Sequence, residues 1–463
     1  MKPYFPLAGI ILFSVFHSSC GQSVSQTPVS DGGDLVPPIK LNSTGAVSWS
    51  AIAGNKYYDR NTNEFYLYIS LKGNEGAQPT KRVPLNISIV LDRSGSMSGD
   101  KIAYAKRAAN FVIDQLKEDD ILSIVNYDDR IEVTSPSAPV KNKEVLRTKV
   151  NALFDRGSTN LTGGMMEGFE QVKNTKKEGY VNRVLLLTDG LANVGITEPQ
   201  EMKRLVEQRY KQEGIALSTF GLGADYNEDL LTMLAEMGRA NYYFIASADK
   251  IPGIFANELK GLLSVVAQNA TVQVDFPSNL ECVKVYGYPF DVKKNSVTIR
   301  FNDVYANDQK GILLKFKPSG SLQEEVPFTC SLKYIDATSF ATVTDEKKLE
   351  FSENSNAALI EKNKETVVEE MIALYESTEM FDEILAKVDA GDYEAAKVRA
   401  EKAVSYLKVK QQTIKSEKLR KQEESMAVYS KEIDSVKSMK EDQRKLYQKS
   451  SKSVNYDVKR GKH

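Results

Sequence analysis

The sequence predicts an α/β protein. A doubly wound, mostly parallel sheet is inserted in, or followed by, a β-sandwich, and a helical hairpin closes the C-terminal end. Three patterns carry this reading. Residues 83–267 alternate near-continuous apolar runs with segments of helical period. Residues 268–352 switch to period-two alternation between turns. Residues beyond 353 repeat apolar side chains every three and four positions.

Residues 1–19 read as an address rather than as structure. Lys2 gives a positive start and Leu7 to Phe16 a short apolar stretch, below the ~20 residues a spanning helix needs. The string His17-Ser18-Ser19-Cys20-Gly21 that follows resembles a bacterial lipoprotein signal, which implies cleavage before Cys20 and lipid on its thiol. His17 departs from the aliphatic residue usual at its position, and an ordinary secretory signal with an incidental cysteine is the alternative. Gly21, rather than the Asp some bacteria use for inner-membrane retention, points to the outer membrane of the cell envelope. Residues 20–43 carry little apolar content and read as a flexible tether.

Residues 44–82 hold strand-like runs, Ala46–Ala53 and Phe65–Leu71. In the second, Phe65, Leu67, Ile69 and Leu71 alternate with Tyr66, Tyr68 and Ser70, the mark of a half-buried strand. Val83–Leu91 is apolar on both faces, as a covered parallel strand must be. It is followed by a helix over Lys101–Leu116, strands at Ile121–Tyr127 and Ile131–Thr134, and a helix at Leu161–Val172. Then come the strand Val181–Thr188, the helix Pro199–Gln212, the strand Ile215–Leu222, the helix Asp229–Met237, the strand Tyr242–Ile245 and the helix Pro252–Val266. This βαβ succession is one doubly wound domain over 83–267. Residues 268–352 supply six short strands separated by turns, a sandwich pattern. The strands before residue 83 lack partners in the α/β domain and are expected to complete that sandwich.

Composition narrows the chemistry. The sequence has two histidines, His17 and His463, so no internal imidazole serves a Ser-His-Asp triad, a Cys-His pair or a His-based zinc site. No Gly-x-x-x-x-Gly-Lys-Ser/Thr phosphate loop occurs. The expectation is a protein that is not an enzyme. Cys282 and Cys330 form an even pair in an exporting chain, where a disulfide is permitted; two separately buried thiols is the other reading.

The functional signal lies at residues 91–97, Leu-Asp-Arg-Ser-Gly-Ser-Met. Asp92, Ser94 and Ser96 place a carboxylate and two hydroxyls at alternate positions where a buried strand turns into a helix, a set suited to a hard divalent cation. Thr159 and Asp189 add oxygens in similar settings. Together the five residues resemble the metal-ion-dependent adhesion site of von Willebrand factor type A domains: Asp-x-Ser-x-Ser, then a Thr, then an Asp. The resemblance implies Mg2+ (or Mn2+) as cofactor and a protein partner that presents an Asp or Glu carboxylate to the metal. Asp100, Leu191 and Asn193, on adjoining loops, are the expected partner-specificity positions. The order of strands, type A domain and strands is similar to bacterial exported type A proteins and, more distantly, to inter-alpha-trypsin inhibitor heavy chains.

Residues 353–463 are helical and charged. Val367, Met371, Leu374, Thr378, Phe381, Leu385 and Val388 form one seam and Tyr393, Ala396, Ala400, Ala403 and Leu407 another, joined by Ala390-Gly391-Asp392: an antiparallel hairpin. From Lys402 onward 17 Lys and Arg face 8 Asp and Glu, so this tail is +9 while the chain as a whole is −1. Either the tail is a solvated, fraying surface or it docks on an anionic envelope surface; nucleic acid is not expected. The function that follows is a metal-dependent adhesion or scaffold lipoprotein. The alternative is an envelope assembly factor that binds through its sandwich and hairpin, with a purely structural metal.

Overall fold

Period-two alternation builds the strands at the start of the computed structural model, which describes residues 36–37, 39–75, 82–301 and 303–461. The signal expected at 1–19, Cys20 and most of the 20–43 tether lie outside the described residues. The opening strands are β1 (Asn42–Thr44), β2 (Val47–Ala53), β3 (Tyr57–Tyr58) and β4 (Phe65–Gly73). Next come β5 (Leu85–Asp92), α1 (Asp100–Gln115), β6 (Ile121–Tyr127), β7 (Ile131–Pro139), α2 (Lys143–Asn151), α3 (Leu161–Asn174) and β8 (Val181–Thr188). The α/β region then continues through α4 (Pro199–Glu213), β9 (Ala216–Leu222), α5 (Glu228–Met237), β10 (Arg239–Ile245) and α6 (Ile251–Leu263).

Those strands form a 6-stranded sheet in the order β10-β9-β8-β5-β6-β7. All neighbours are parallel except β7, which closes the edge antiparallel to β6. Every residue of β5, β8 and β9 is buried, because helices cover both faces. On one face Ile102, Val112, Val150, Phe255 and Leu259 pack from α1, α2 and α6. On the other, Met165, Phe169, Met202, Val206 and Leu234 pack from α3, α4 and α5. The chain leaves β5 towards β6 and later returns to β8 on the opposite side. The topological switch point therefore lies between β5 and β8, where open α/β sheets place their ligands.

The chain next forms β11 (Val265–Asp275), β12 (Leu280–Tyr286), β13 (Phe290–Lys293), β14 (Ser296–Arg300), β15 (Asp303–Tyr305), β16 (Gln309–Pro318), β17 (Glu325–Asp336) and β18 (Thr342–Glu353). Among the described residues these strands and β1 to β4 make two further sheets, β1-β2-β4-β16-β12 and β13-β14-β11-β17-β18-β3, with β15 beside β11. Their facing sides share one core that includes Trp49, Phe65, Leu67, Val272, Phe316, Phe328 and Leu332. β4 pairs with β16 from Phe65↔Phe316 to Lys72↔Gln309. The α/β region is thus an insertion between strands of one sandwich.

Cys282 on β12 and Cys330 on β17 lie in that core on opposite sheets, as separate buried thiols. This corrects the expected disulfide. Their neighbours across the strands are other residues, Phe316 for Cys282 and Val274 and Lys347 for Cys330, and no strand pairing sets the two thiols side by side. Burial, the main cause, pushes both thiols up to about 12.

The last elements are α7 (Ala357–Lys362), α8 (Thr366–Asp389), α9 (Tyr393–Ile414), α10 (Glu417–Ser438) and α11 (Glu441–Lys459). The hairpin of α8 and α9 turns at Gly391, whose φ of 77° a side chain would resist. Asp392 caps α9 by accepting from the Ala395 N–H at 3.2 Å. Two further helices continue the hairpin. Leu419, Met426, Ile433 and Val436 of α10 join Leu374, Leu385, Ala400 and Leu407 in one core, with Tyr68 and Leu313 from the outer face of the sandwich. The polar-looking face of β4 is therefore covered as well: Tyr68 and Ser70 are buried. No described helix is long and apolar enough to cross a membrane.

α11 returns to the α/β region. Lys449 donates to the Tyr226 carbonyl at 2.9 Å and lies 3.9 Å from that ring's centroid. Arg460 donates to the Ala240 and Gly287 carbonyls at 3.2 and 2.9 Å. A second pin joins the α/β region to the sandwich. The fully buried Arg183 of β8 meets Asp303 at 3.2 Å and Tyr305 at 3.1 Å, both on β15.

Candidate metal centre

β5 ends in Asp92, which is fully buried at the sheet's C-terminal edge. Its two oxygens are satisfied differently. The Ser94 backbone N–H donates to Oδ1 at 2.8 Å, and the Thr188 hydroxyl, from the end of β8, donates to Oδ2 at 2.6 Å. Burial raises the Asp92 carboxyl to about 6, while the hydrogen bonds from Thr188 and Ser94 pull it back down.

The chain then turns through a short 3-10 segment, Gly95–Met97, with Met97 plugged into the core beneath it. This turn presents Ser94 and Ser96 side by side, their hydroxyls 3.0 Å apart. Ser96 donates onward to Asp189 Oδ1 at 2.9 Å. Gly99, at φ 72°, then redirects the chain into α1, so a strand-to-helix reversal fits within a few residues.

Thr159 enters from the loop before α3. Its N–H donates to Asn193 Oδ1 at 2.7 Å, and its carbonyl accepts from the Asn193 and Val194 N–H groups at 3.1 and 3.2 Å. The loop is held against the Asp92 turn from beneath. Arg93 and Arg156 share Asp128 at 3.0 and 2.7 Å, and the Gly95 and Arg156 N–H groups donate to the Gly157 and Arg93 carbonyls.

Gly190 shows how closely the loops converge. A Cβ placed on it would stand 3.3 Å from Ser96 Oγ, 3.4 Å from Thr159 Oγ1 and 3.7 Å from Asp92 Oδ2. The fold thus brings Asp92, Ser94, Ser96, Thr159 and Asp189 into one cradle, with two carboxylates, three hydroxyls and neither imidazole nor thiolate. That donor set suits a hard cation and not a soft one. Among the described residues no cluster of three or more His, Cys, Asp or Glu offers another centre.

All three rim positions are exposed: Leu191 (54%), Asp100 in the first turn of α1, and Asn193, whose side-chain oxygen also accepts from the Thr159 N–H. The five-residue pattern does not include Thr188 or Lys101, yet both touch its carboxylates. Thr188 is legible only as the neighbour of Asp189. Lys101, whose ammonium is 2.6 Å from Asp189 Oδ2, is legible only as a cation one helical turn past the motif.

Residues 86–257 match the family description "von Willebrand factor type A domain". The chain contains a type A domain. A protein of Escherichia coli K12 named uncharacterized protein YfbK is 30% identical over 193 residues, 41% of this chain and 33% of its own length. Inter-alpha-trypsin inhibitor heavy chain H3 of Mesocricetus auratus is 28% identical over 272 residues, 55% of this chain and 30% of its own. The chain therefore spans about a third of the length of these curated relatives. In fold, a von Willebrand factor type A structure from Catenulispora acidiphila superposes with a TM-score of 0.67 at 16% identity, covering 81% of this chain and 89% of that one. The ArnB paralog VWA2 of Sulfolobus acidocaldarius gives 0.60 at 17%, covering 90% and 99%. Both cover far more of this chain than the type A domain alone.

Proposed function

We propose that this chain is a non-enzymatic, divalent-metal-dependent protein-binding lipoprotein whose type A domain captures a partner's Asp or Glu carboxylate. One observation carries the reading: oxygens from the Asp92–Ser96 turn and from the Thr159 loop converge within 3.3–3.7 Å of one point beside Gly190 on a third loop, at the switch point of the sheet. In this reading Asp92, Ser94, Ser96, Thr159 and Asp189 hold Mg2+ or Mn2+. Such an ion, with two formal negative charges around it, supplies Lewis acidity and exchangeable waters that an incoming carboxylate replaces.

The chain's own residues prepare the place. Thr188 and the Ser94 N–H favour the charged form of Asp92 against its burial. Asn193 sets the height of Thr159, and the Arg93–Asp128–Arg156 group fixes the loop that carries it. Leu191, Asp100 and Asn193 stand exposed at the rim, and we assign them to partner selection. Ca2+ takes about six to eight oxygens, more than this set offers, so Mg2+ or Mn2+ is the expected ion. The sequence around Cys20 supports display from a lipid anchor in the bacterial envelope, with the outer membrane as the preferred site.

Mg2+ titration calorimetry on the wild type and Asp92→Ala, followed by pull-down from envelope extract with and without EDTA, tests the reading. Binding that disappears on chelation and in Asp92→Ala supports it. A partner retained through both treatments, with Asp92→Ala lowering only the melting temperature, replaces it with a scaffold whose metal is structural.

A further inference from the structure

Lys101 enters α1 beside the cradle, and its ammonium is shared between two carboxylates. It lies 2.6 Å from Asp189 Oδ2 and 3.2 Å from Asp225 Oδ2. Asp189 is fully buried, whereas the Asp225 side chain is 57% exposed. The other oxygen of Asp189 accepts from Ser96. Both oxygens of one of the cradle's two carboxylates are therefore engaged by the protein itself, and one of them by a full positive charge. A lysine ammonium is a compact charge on a flexible stem, able to move between neighbouring partners.

Asp225 is held where it can receive that charge. Its loop is tied down on both sides of the residue: the Gly223 N–H donates to the Ile245 carbonyl at 3.0 Å, and the Tyr226 and Tyr242 hydroxyls meet at 2.6 Å. Lys449 of α11 holds the Tyr226 carbonyl, and Lys445 of the same helix lies 3.9 Å from Asp225. The C-terminal helix thus fixes the loop that offers Lys101 its second partner.

We infer that Lys101 is the affinity-setting residue of the candidate metal centre: it occupies Asp189 as an internal cation, competes there with the divalent ion, and moves onto Asp225 when the ion is held. This rests on the metal reading above. A centre built this way binds its ion more weakly than its five oxygens alone would. Because Asp225 sits under α11, the position of the C-terminal helix enters the metal affinity.

Mn2+ binding by the full chain, followed as the loss of the free-ion electron paramagnetic resonance signal, tests this with four variants. Lys101→Met should bind Mn2+ about tenfold tighter or more, because a like charge is removed from beside the site. Lys101→Arg keeps the cation and should not tighten. Asp225→Asn should weaken Mn2+ binding, since Lys101 then has Asp189 as its remaining carboxylate. Asp92→Asn should lose binding and so reports on the centre itself. Tightening in Lys101→Met, with none in Lys101→Arg, supports the inference. Unchanged or weaker binding in Lys101→Met, with Asp92→Asn still silent, overturns it and leaves the metal reading standing. No Mn2+ bound by either the wild type or Lys101→Met overturns the metal reading, and the inference with it.

Discussion

Gly190→Ala separates a requirement of the cradle from a requirement of the fold with one added methyl group. The backbone of Gly190 is outside the left-handed region, so alanine fits its conformation. The new Cβ meets Ser96 Oγ at 3.3 Å and Thr159 Oγ1 at 3.4 Å, contacts tight enough to push these side chains by a few tenths of an ångström. Overpacking of that kind costs roughly 1–3 kcal/mol. The reduced freedom of the unfolded chain returns about 0.4–1 kcal/mol. The net loss is then ~1–2 kcal/mol. With an unfolding entropy of about 2.1 cal/mol/K per residue, a chain of this length should melt only ~1–2 °C lower. Metal binding should respond much more strongly, because the methyl group stands at the point the three oxygens surround. Affinity for Mg2+ should fall about 10–100-fold, the range typical when groups around a metal are disturbed. Gly253→Ala is the control, since nothing lies within 4 Å of a Cβ there; it should leave Mg2+ affinity untouched. Scanning fluorimetry and calorimetric titration read the two quantities. A folded Gly190→Ala protein with wild-type Mg2+ affinity would refute the assignment of the cradle.

Two further outcomes follow from the joints between modules. Asp303→Ala removes the sandwich's carboxylate from the fully buried Arg183, leaving it the Tyr305 and Ser218 hydroxyls at 3.1 and 3.4 Å and Glu258 at 4.0 Å as its remaining carboxylate, and should cost about 3 kcal/mol in urea denaturation; a loss under 1 kcal/mol would show that this pair does not pin the modules. Glu228 of α5 is raised to about 7 by burial, against the pull of Lys452 and Lys449 at 3.6 and 3.9 Å, with Asp229 adding repulsion and Tyr242 donating at 3.4 Å. Its folded pKa exceeds the unfolded value, so the folded state binds the proton more tightly. Stability should therefore decline from about pH 4.5 to about pH 7, by up to ~3 kcal/mol, and level off above. Unfolding free energies at pH 5 and pH 8 should differ less in Glu228→Gln than in the wild type, and an equal difference would assign the decline to other groups.

The parallel domain was legible because its signal is local. Apolar runs such as Leu85–Leu91 and Val181–Leu187 report burial on both faces without knowledge of what covers them. The oxygens at 92, 94, 96, 159 and 189 were legible because strand tips and spacing fix them. What escaped was pairing at a distance. α2 has Val150 as its one buried apolar side chain, so its period is too faint to read. Tyr68 and Ser70 look solvent-facing until α8 covers them. The basic tail counts as charge in a sequence, yet Lys449 is buried against Tyr226 and Glu228. Cys282 and Cys330 satisfy the arithmetic of a disulfide, but no arithmetic says which sheet each strand joins.

The insertion of the type A domain also dictates an order of events during synthesis. β2 and β4 are made early, but β4 pairs on its far side with β16, which follows the whole inserted domain. Until β16 emerges, Leu67, Ile69 and Leu71 belong to a hairpin with an open edge, the kind of surface that joins other chains. Contacts so distant in sequence form slowly, because their loop must close before they stabilise anything. A type A domain that folds on its own shortens that loop, since its first and last residues then sit at the sandwich. The domain that carries the candidate site would thereby act as the clamp that lets the rest of the chain find its register.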